Sequence, residues 1–222
     1  MKHPKRLLLA IGIILFLTIL YFSFQEFLPD FKLLLDRTAS EDTFTEVIRR
    51  HGVRSAIMLV LLAATMCSIP GISNVVVCIL MGLCYGPLIG FLLNVTSNVL
   101  GNTTLIVILS KIGLSDKFQK RFSMVNRIKE MHHPFIGLTL GYIVPLFPAI
   151  IVNFIATQSQ LTKGEIFLSM VLGVAPTSFV YAFGGDAIFR GDHVRGITII
   201  VIALLVFSLI TYSVKRKGKA VE

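Results

Sequence analysis

The stretch "YIVPLFPAIIVNF", Tyr142 to Phe154, decides how this chain is folded. Two prolines stand three residues apart, and an amide follows five residues after the second. Residues 131–162 around it contain no Asp, Glu, Lys or Arg. An unbroken apolar run of that length would be a membrane span. Proline removes a backbone donor and clashes with the preceding turn, so this run has to break. Whether it crosses or turns back is settled by what surrounds it.

The chain has 222 residues, 55% hydrophobic and 15% charged, with a mean hydropathy of +0.81. Soluble domains carry about 25% charged residues. The composition is that of an all-α polytopic membrane protein. The net charge of +9 would suggest nucleic acid in a soluble protein. Here the basic residues gather at the ends of apolar runs, where they set topology and meet anionic lipid; no nucleic-acid partner is expected. Cys67, Cys78 and Cys84 lie in apolar surroundings with no zinc or redox spacing. They read as small core hydrophobes.

Lysine and arginine in the short loops orient the chain. The N-terminus carries Lys2, Lys5 and Arg6, the loop 111–133 is basic, and the tail "KRKGK" has four basic residues. These belong on the cytoplasmic side of a cell membrane, with both termini. Segment 29–54 balances five basic against five acidic residues and suits the outside. It reads either as an amphipathic surface helix or as a connecting helix. "MKHPKR" before Leu7 resembles the start of a signal peptide, but no small-residue cleavage site follows, so 1–28 is read as an uncleaved first span.

Residues 55–110 hold no charged side chain and must cross an odd number of times. One span uses about 20 residues and leaves a surplus. Residues 134–185 pose the same problem. A re-entrant hairpin absorbs each surplus, because it enters and leaves on one side. The expected organisation is therefore re-entrant 55–86, transmembrane 87–110, cytoplasmic loop 111–133, re-entrant 134–161 and transmembrane 164–185. A final span, 196–214, precedes the basic tail 215–222. This amounts to about four full transmembrane helices and two facing re-entrant hairpins in an inverted repeat. Pro70 and Asn74 echo Pro148 and Asn153.

These units resemble a known family. "IPGISNVVVCILMGLCYGPLIGFLLNVTSNVLGNTTLIVILSKIG" is similar to the first motif of the VTT-domain proteins, the SNARE-associated Golgi protein or DedA superfamily. The likeness lies in Pro70, Gly82, Gly86, Gly90 and Gly101. "YIVPLFPAIIVNFIATQSQLTKGEIFLSMVLGVAPTSFVYAFGG" resembles the second, through Pro145, Pro148, Asn153, Phe167, Gly173, Pro176 and Gly184. The resemblance implies facing re-entrant helices and movement of phospholipid or polyprenyl-phosphate lipid between leaflets, by scrambling or proton-coupled flipping. Family members often carry Arg where Tyr142 stands, and Arg where Lys111 stands. "SIPGISNV" lacks the acidic residues of the bacterial DedA branch. This leans toward the eukaryote-like VTT branch, in a chain whose length and termini suggest a bacterium.

Candidate path residues are Pro70, Asn74, Asn94, Asn98, Asn102, Pro145, Pro148 and Asn153. Asn74 and Asn153 follow the breaks; they either line a path and bond a lipid phosphate or cap the broken helices. Asn94, Asn98 and Asn102 recur every four residues and share a helix face. They form either a polar track or interhelical glue. Lys111, Lys117, Lys120, Arg121 and Arg127 are candidates for recruiting anionic headgroups, as well as topology determinants. No HExxH, GxSxG or nucleophile–base set is present, so neither catalysis nor a metal or cofactor is expected. Membrane lipids are the expected partners, with homo-oligomerisation open. Two other readings are an ion- or proton-coupled small-solute transporter, for which only Glu165, Asp186, His132 and His133 are titratable candidates, and an assembly factor without transport.

Overall fold

The structure, a computed structural model, describes residues 52–112, 133–144 and 148–189, with scattered positions at 18–25 and 192–209. Five helices make up its main part: α1 (Val53–Ser68), α2 (Val75–Ile112), α3 (Pro134–Ile143), α4 (Ala149–Gln158) and α5 (Lys163–Phe189). They pack as an all-α bundle.

Each boundary has a local cause. After α1, Ile69 is extended, as a residue before proline prefers. Residues 69–72 then carry the signature of a type II turn. Pro70 takes the second position, Gly71 the third with φ +93°, and the Ile72 N–H closes onto the Ile69 carbonyl at 3.2 Å. Helix α2 is bent within itself at Gly86, whose φ 76° and ψ 170° lie in a region essentially reserved for glycine. Pro87 then opens the second arm, a position its fixed φ favours. Helix α3 ends where Val144, preceding Pro145, turns extended. Pro148 is the N-cap of α4; its carbonyl receives the Ile151 N–H at 2.9 Å. A capping box opens α5. Glu165 Oε2 accepts the Thr162 N–H at 2.7 Å, and Thr162 Oγ1 accepts the Glu165 N–H at 3.3 Å.

Both halves thus run short helix, break, short helix, long helix. The second arm of α2, residues 87–112, is about 39 Å long and α5 is about 40 Å, each enough to cross about 30 Å of hydrocarbon. By length and composition α2 and α5 qualify as membrane spans. Only a third of the most apolar window of each is buried in the protein. The remainder presents large apolar side chains, among them Leu88, Leu92, Val107, Phe167 and Leu172. A core helix of a soluble protein would have these covered; facing acyl chains, they need no cover. Helices α3 and α4, with ten residues each, reach only about 15 Å.

Helix α5 packs along α2, α1 lies against α2, and α3 and α4 dock on α5 and α2. Small residues set these approaches. A Cβ placed on Gly82 would stand 2.5 Å from the Ala182 carbonyl oxygen, and one on Gly101 would stand 2.6 Å from that of Ala64. The expected first span 1–28, segment 29–54, most of the loop 111–133 and the tail 215–222 lie wholly or largely outside the described residues, whereas the last span 196–214 is described at eleven of its nineteen positions, all of them helical.

Candidate polar interior where the helix breaks meet

The site is built on the α2 face that carries Asn94, Asn98 and Asn102. Asn94 and Ser97 are fully buried, Asn102 nearly so, and Asn98 half-buried. The amide after each break comes to this face. Asn74 Nδ2 donates to Asn98 Oδ1 at 3.1 Å, and Asn153 Nδ2 donates to Asn102 Oδ1 at 2.6 Å. Two residues from separate halves, read from the sequence as counterparts, thus end on adjacent rungs of one helix.

The orientation of each amide is fixed by backbone. Asn98 Nδ2 also donates to the Asn94 carbonyl at 2.8 Å, Asn102 Nδ2 to the Asn98 carbonyl at 2.9 Å, and Asn153 Nδ2 to the Ala149 carbonyl at 2.9 Å. Each reaches back one turn on its own helix. Asn94 Nδ2 instead crosses to the Cys78 carbonyl on the first arm of α2, at 3.0 Å. A carbonyl only accepts, so these bonds orient each amide, using one of the two N–H groups of its NH2.

Tyr142 completes the arrangement. Its hydroxyl donates to Asn153 Oδ1 at 2.7 Å, tying the end of α3 to α4. Its Cβ packs where a side chain on Gly173 of α5 would have to lie. The sequence marked Tyr142 only as a departure from a family pattern, since its phenol and Asn153 are eleven residues apart across a break. Ser68 Oγ adds a bond of 3.0 Å to the Gly101 carbonyl. Cys67 Sγ and Cys78 Sγ lie 4.0 and 3.8 Å from the Asn98 carbonyl oxygen and Nδ2. Two of the three cysteines, read as plain core residues, therefore touch the amide row.

Neither break amide caps through its side chain. Asn74 is the N-cap residue of α2 by its carbonyl, which accepts the Cys78 N–H at 3.0 Å, but its amide is spent on Asn98. Asn153 is the fifth residue of α4, inside the helix and fully buried. For Asn153 the reason is its place: an amide one turn into a helix has its i−4 carbonyl, not the free N–H groups, within reach.

Pro70 sits in the exposed turn before α2 and Pro148 at the start of α4. Lys111 is exposed in the last turn of α2, where a cation also suits the helix terminus. Pro145, Lys117, Lys120, Arg121 and Arg127 lie outside the described residues. Among the described residues no group of three His, Cys, Asp or Glu is placed to hold a metal ion.

Residues 69–187, more than half of the chain and all five asparagines of this site, match the VTT domain. The chain belongs to the VTT-domain family. Within the domain fall the α1–α2 turn, both arms of α2, the α3–α4 pair and nearly all of α5. The chain is also 23% identical over 177 residues to the uncharacterized protein YqeD of Bacillus subtilis (strain 168), covering 78% of this chain and 84% of that protein. No solved structure matches it. The branch of the VTT domain to which it is nearest, read from the sequence as the eukaryote-like one, is not distinguished by these matches.

Proposed function

We propose that this VTT-domain protein moves lipid between the leaflets of a cell membrane, as a scramblase or flippase-like carrier. The observation that carries the reading is the amide row of α2, on which Asn74 and Asn153 converge from the two halves. The amides tie helices together, but hydrophobic packing would serve that end in an apolar-surfaced bundle without burying a file of polar groups. A lipid headgroup crossing hydrocarbon does need polar partners at depth.

In this reading the α1–α2 turn and the α3–α4 break are the tips of two re-entrant hairpins entering from opposite sides. Their inverted arrangement lets the halves part around a fixed polar seam. The termini and the loop 111–133 are cytoplasmic. Lys111, with Lys117, Lys120, Arg121 and Arg127, gathers anionic headgroups there. The buried polar side chains of the described residues are asparagines and serines. That favours passive movement over proton coupling.

Reconstitution tests it. Purified protein in liposomes with an acyl-labelled phospholipid is expected to expose inner-leaflet label to an impermeant quencher within minutes. Protein that leaves every phospholipid and polyprenyl phosphate in its leaflet overturns the proposal.

A further inference from the structure

We infer that α1 and the first arm of α2, residues 75–85, form a hinged flap over the amide row, pivoting at Gly86 and latched at its far end by Asn74 and Ser68. As the way in for a headgroup, the flap rests on the lipid-moving reading above. The two arms of α2 run antiparallel from Gly86. Their contacts fall four, eight and twelve residues to either side of it: Gly82 on Gly90, Cys78 on Asn94 and Asn74 on Asn98. The hold weakens along that ladder. Nearest the hinge, backbone meets backbone, and a Cβ on Gly90 would stand 2.5 Å from Gly82 Cα. In the middle, the buried Asn94 amide holds the Cys78 carbonyl at 3.0 Å. At the far end a half-buried Asn74 reaches Asn98 by one bond between side chains, 3.1 Å long.

The other contacts of the flap are graded the same way. Against α5 they sit near the hinge, where Ala182 abuts Gly82 and a Cβ on Gly185 would stand 2.9 Å from Ile79 Cγ2. Tyr85, beside the hinge, donates to the Gly52 carbonyl at 3.2 Å and ties the start of α1 to the base. Leu59, Leu62, Ala63, Val77 and Met81 form an apolar core that joins α1 to the first arm as one body. At the tip, residues 70–73 are exposed, and the second latch is the Ser68 hydroxyl on the Gly101 carbonyl at 3.0 Å. Gly101 itself brings no side chain to interlock with α1. Asn74 lies about 18 Å along the helix from Gly86, so a swing of about 10° parts the latch by about 3 Å. The opposite break is held differently: Asn153 is fully buried and bonds Asn102, Ala149 and Tyr142 together. Two thiols lie under the latch. Cys67 Sγ and Cys78 Sγ stand 4.0 and 3.8 Å from Asn98 atoms, whereas Cys84 is buried in the apolar core next to the hinge. Opening the flap wets the first two and not the third; unfolding wets all three.

A hydrophilic maleimide, present on both sides of liposomes carrying the full chain, tests this, with labelling of each cysteine read by mass spectrometry. Cys67 and Cys78 are expected to label faster than Cys84 in the wild type. Asn74→Ala, or Ser68→Ala should the first fail to fold, is expected to speed those two about fivefold, the shift made by one net hydrogen bond. Cys84 should keep its rate. All three thiols rising together means general loosening and overturns the flap. Unchanged rates at Cys67 and Cys78 in both folded variants overturn it as well. Ser68→Ala keeps every amide of the row, so it carries the lipid measurement. Acyl-labelled phospholipid is expected to cross about fivefold faster in it than in the wild type. Lipid crossing no faster while the thiols open overturns the flap as the way in and leaves lipid movement standing. Thiols that respond in a protein that moves no lipid overturn the lipid reading and leave the hinge.

Discussion

Asn153 gives its amide hydrogen to Asn102 across the seam between the two halves, at 2.6 Å, while its own oxygen is held by Tyr142. Removing Asn153 strands two groups, Asn102 Oδ1 and the Tyr142 hydroxyl. Asn153→Leu is expected to destabilise the protein by about 1–3 kcal/mol. A double-mutant cycle with Asn102→Leu should return a coupling of about 0.6–2 kcal/mol, measured by melting in detergent. Additive effects would mean that the amides do not work as a pair. Lipid movement by Asn153→Leu should stop if the row is a path.

Tyr142→Phe is the smallest change available at this site. It deletes one hydroxyl and keeps the ring against Gly173. The expected stability loss is about 1 kcal/mol, because Asn153 Oδ1 then lacks its donor. Tyr142→Ala should cost clearly more, since the packing on α5 goes too. Equal losses for the two variants would show that the hydroxyl contributes everything and the ring nothing.

Gly86→Ala should lower stability by about 1–3 kcal/mol, because φ 76° with ψ 170° is strained for any residue with a Cβ. Nothing lies within 4 Å of the added atom, so the effect is conformational, not steric. Gly164→Ala, which meets equally open space without a positive φ, is the control and should be neutral or slightly stabilising. Melting curves of the two proteins side by side decide it.

Gly82→Ala fails for the opposite reason. The new Cβ would stand 2.6 Å from Ala182 Cα, backbone that no rotamer change can relieve. The helices must move apart, and the expected outcome is a loss of about 1–3 kcal/mol or failure to fold. If Gly82→Ala melts like the wild type, the close approach of α2 and α5 is wrong.

Glu165→Gln separates cargo coupling from capping. Gln serves the capping box as well as Glu does, so stability and lipid movement should both survive. A proton-coupled solute carrier that depends on Glu165 would lose transport in this variant while keeping its fold.

Much of this was legible in the sequence. "IPGIS" announces a turn because proline followed by glycine has few other uses between apolar runs. The recurrence of Asn94, Asn98 and Asn102 every fourth residue gives their shared face by helix geometry alone. Asn74 and Asn153 stand out as amides just past the helix breaks, and both reach that face. Their partners were not legible. Nothing local marks that Asn153 meets Asn102, 51 residues away, or that Tyr142 closes the set. Donor direction was hidden as well. An amide written as a letter offers both a donor and an acceptor. Only the carbonyls brought within reach by the folded helices decide how each amide is turned.

The partners of α3 and α4 also fix an order of manufacture. Tyr142 and Thr139 settle against Gly173, which leaves the ribosome about thirty residues later. Until that length has been made, the Tyr142–Asn153 pair has α2 on one side and lacks α5 on the other. The second half of the protein therefore cannot mature piece by piece as it is inserted. It must wait, incompletely seated, for α5 to arrive and close it.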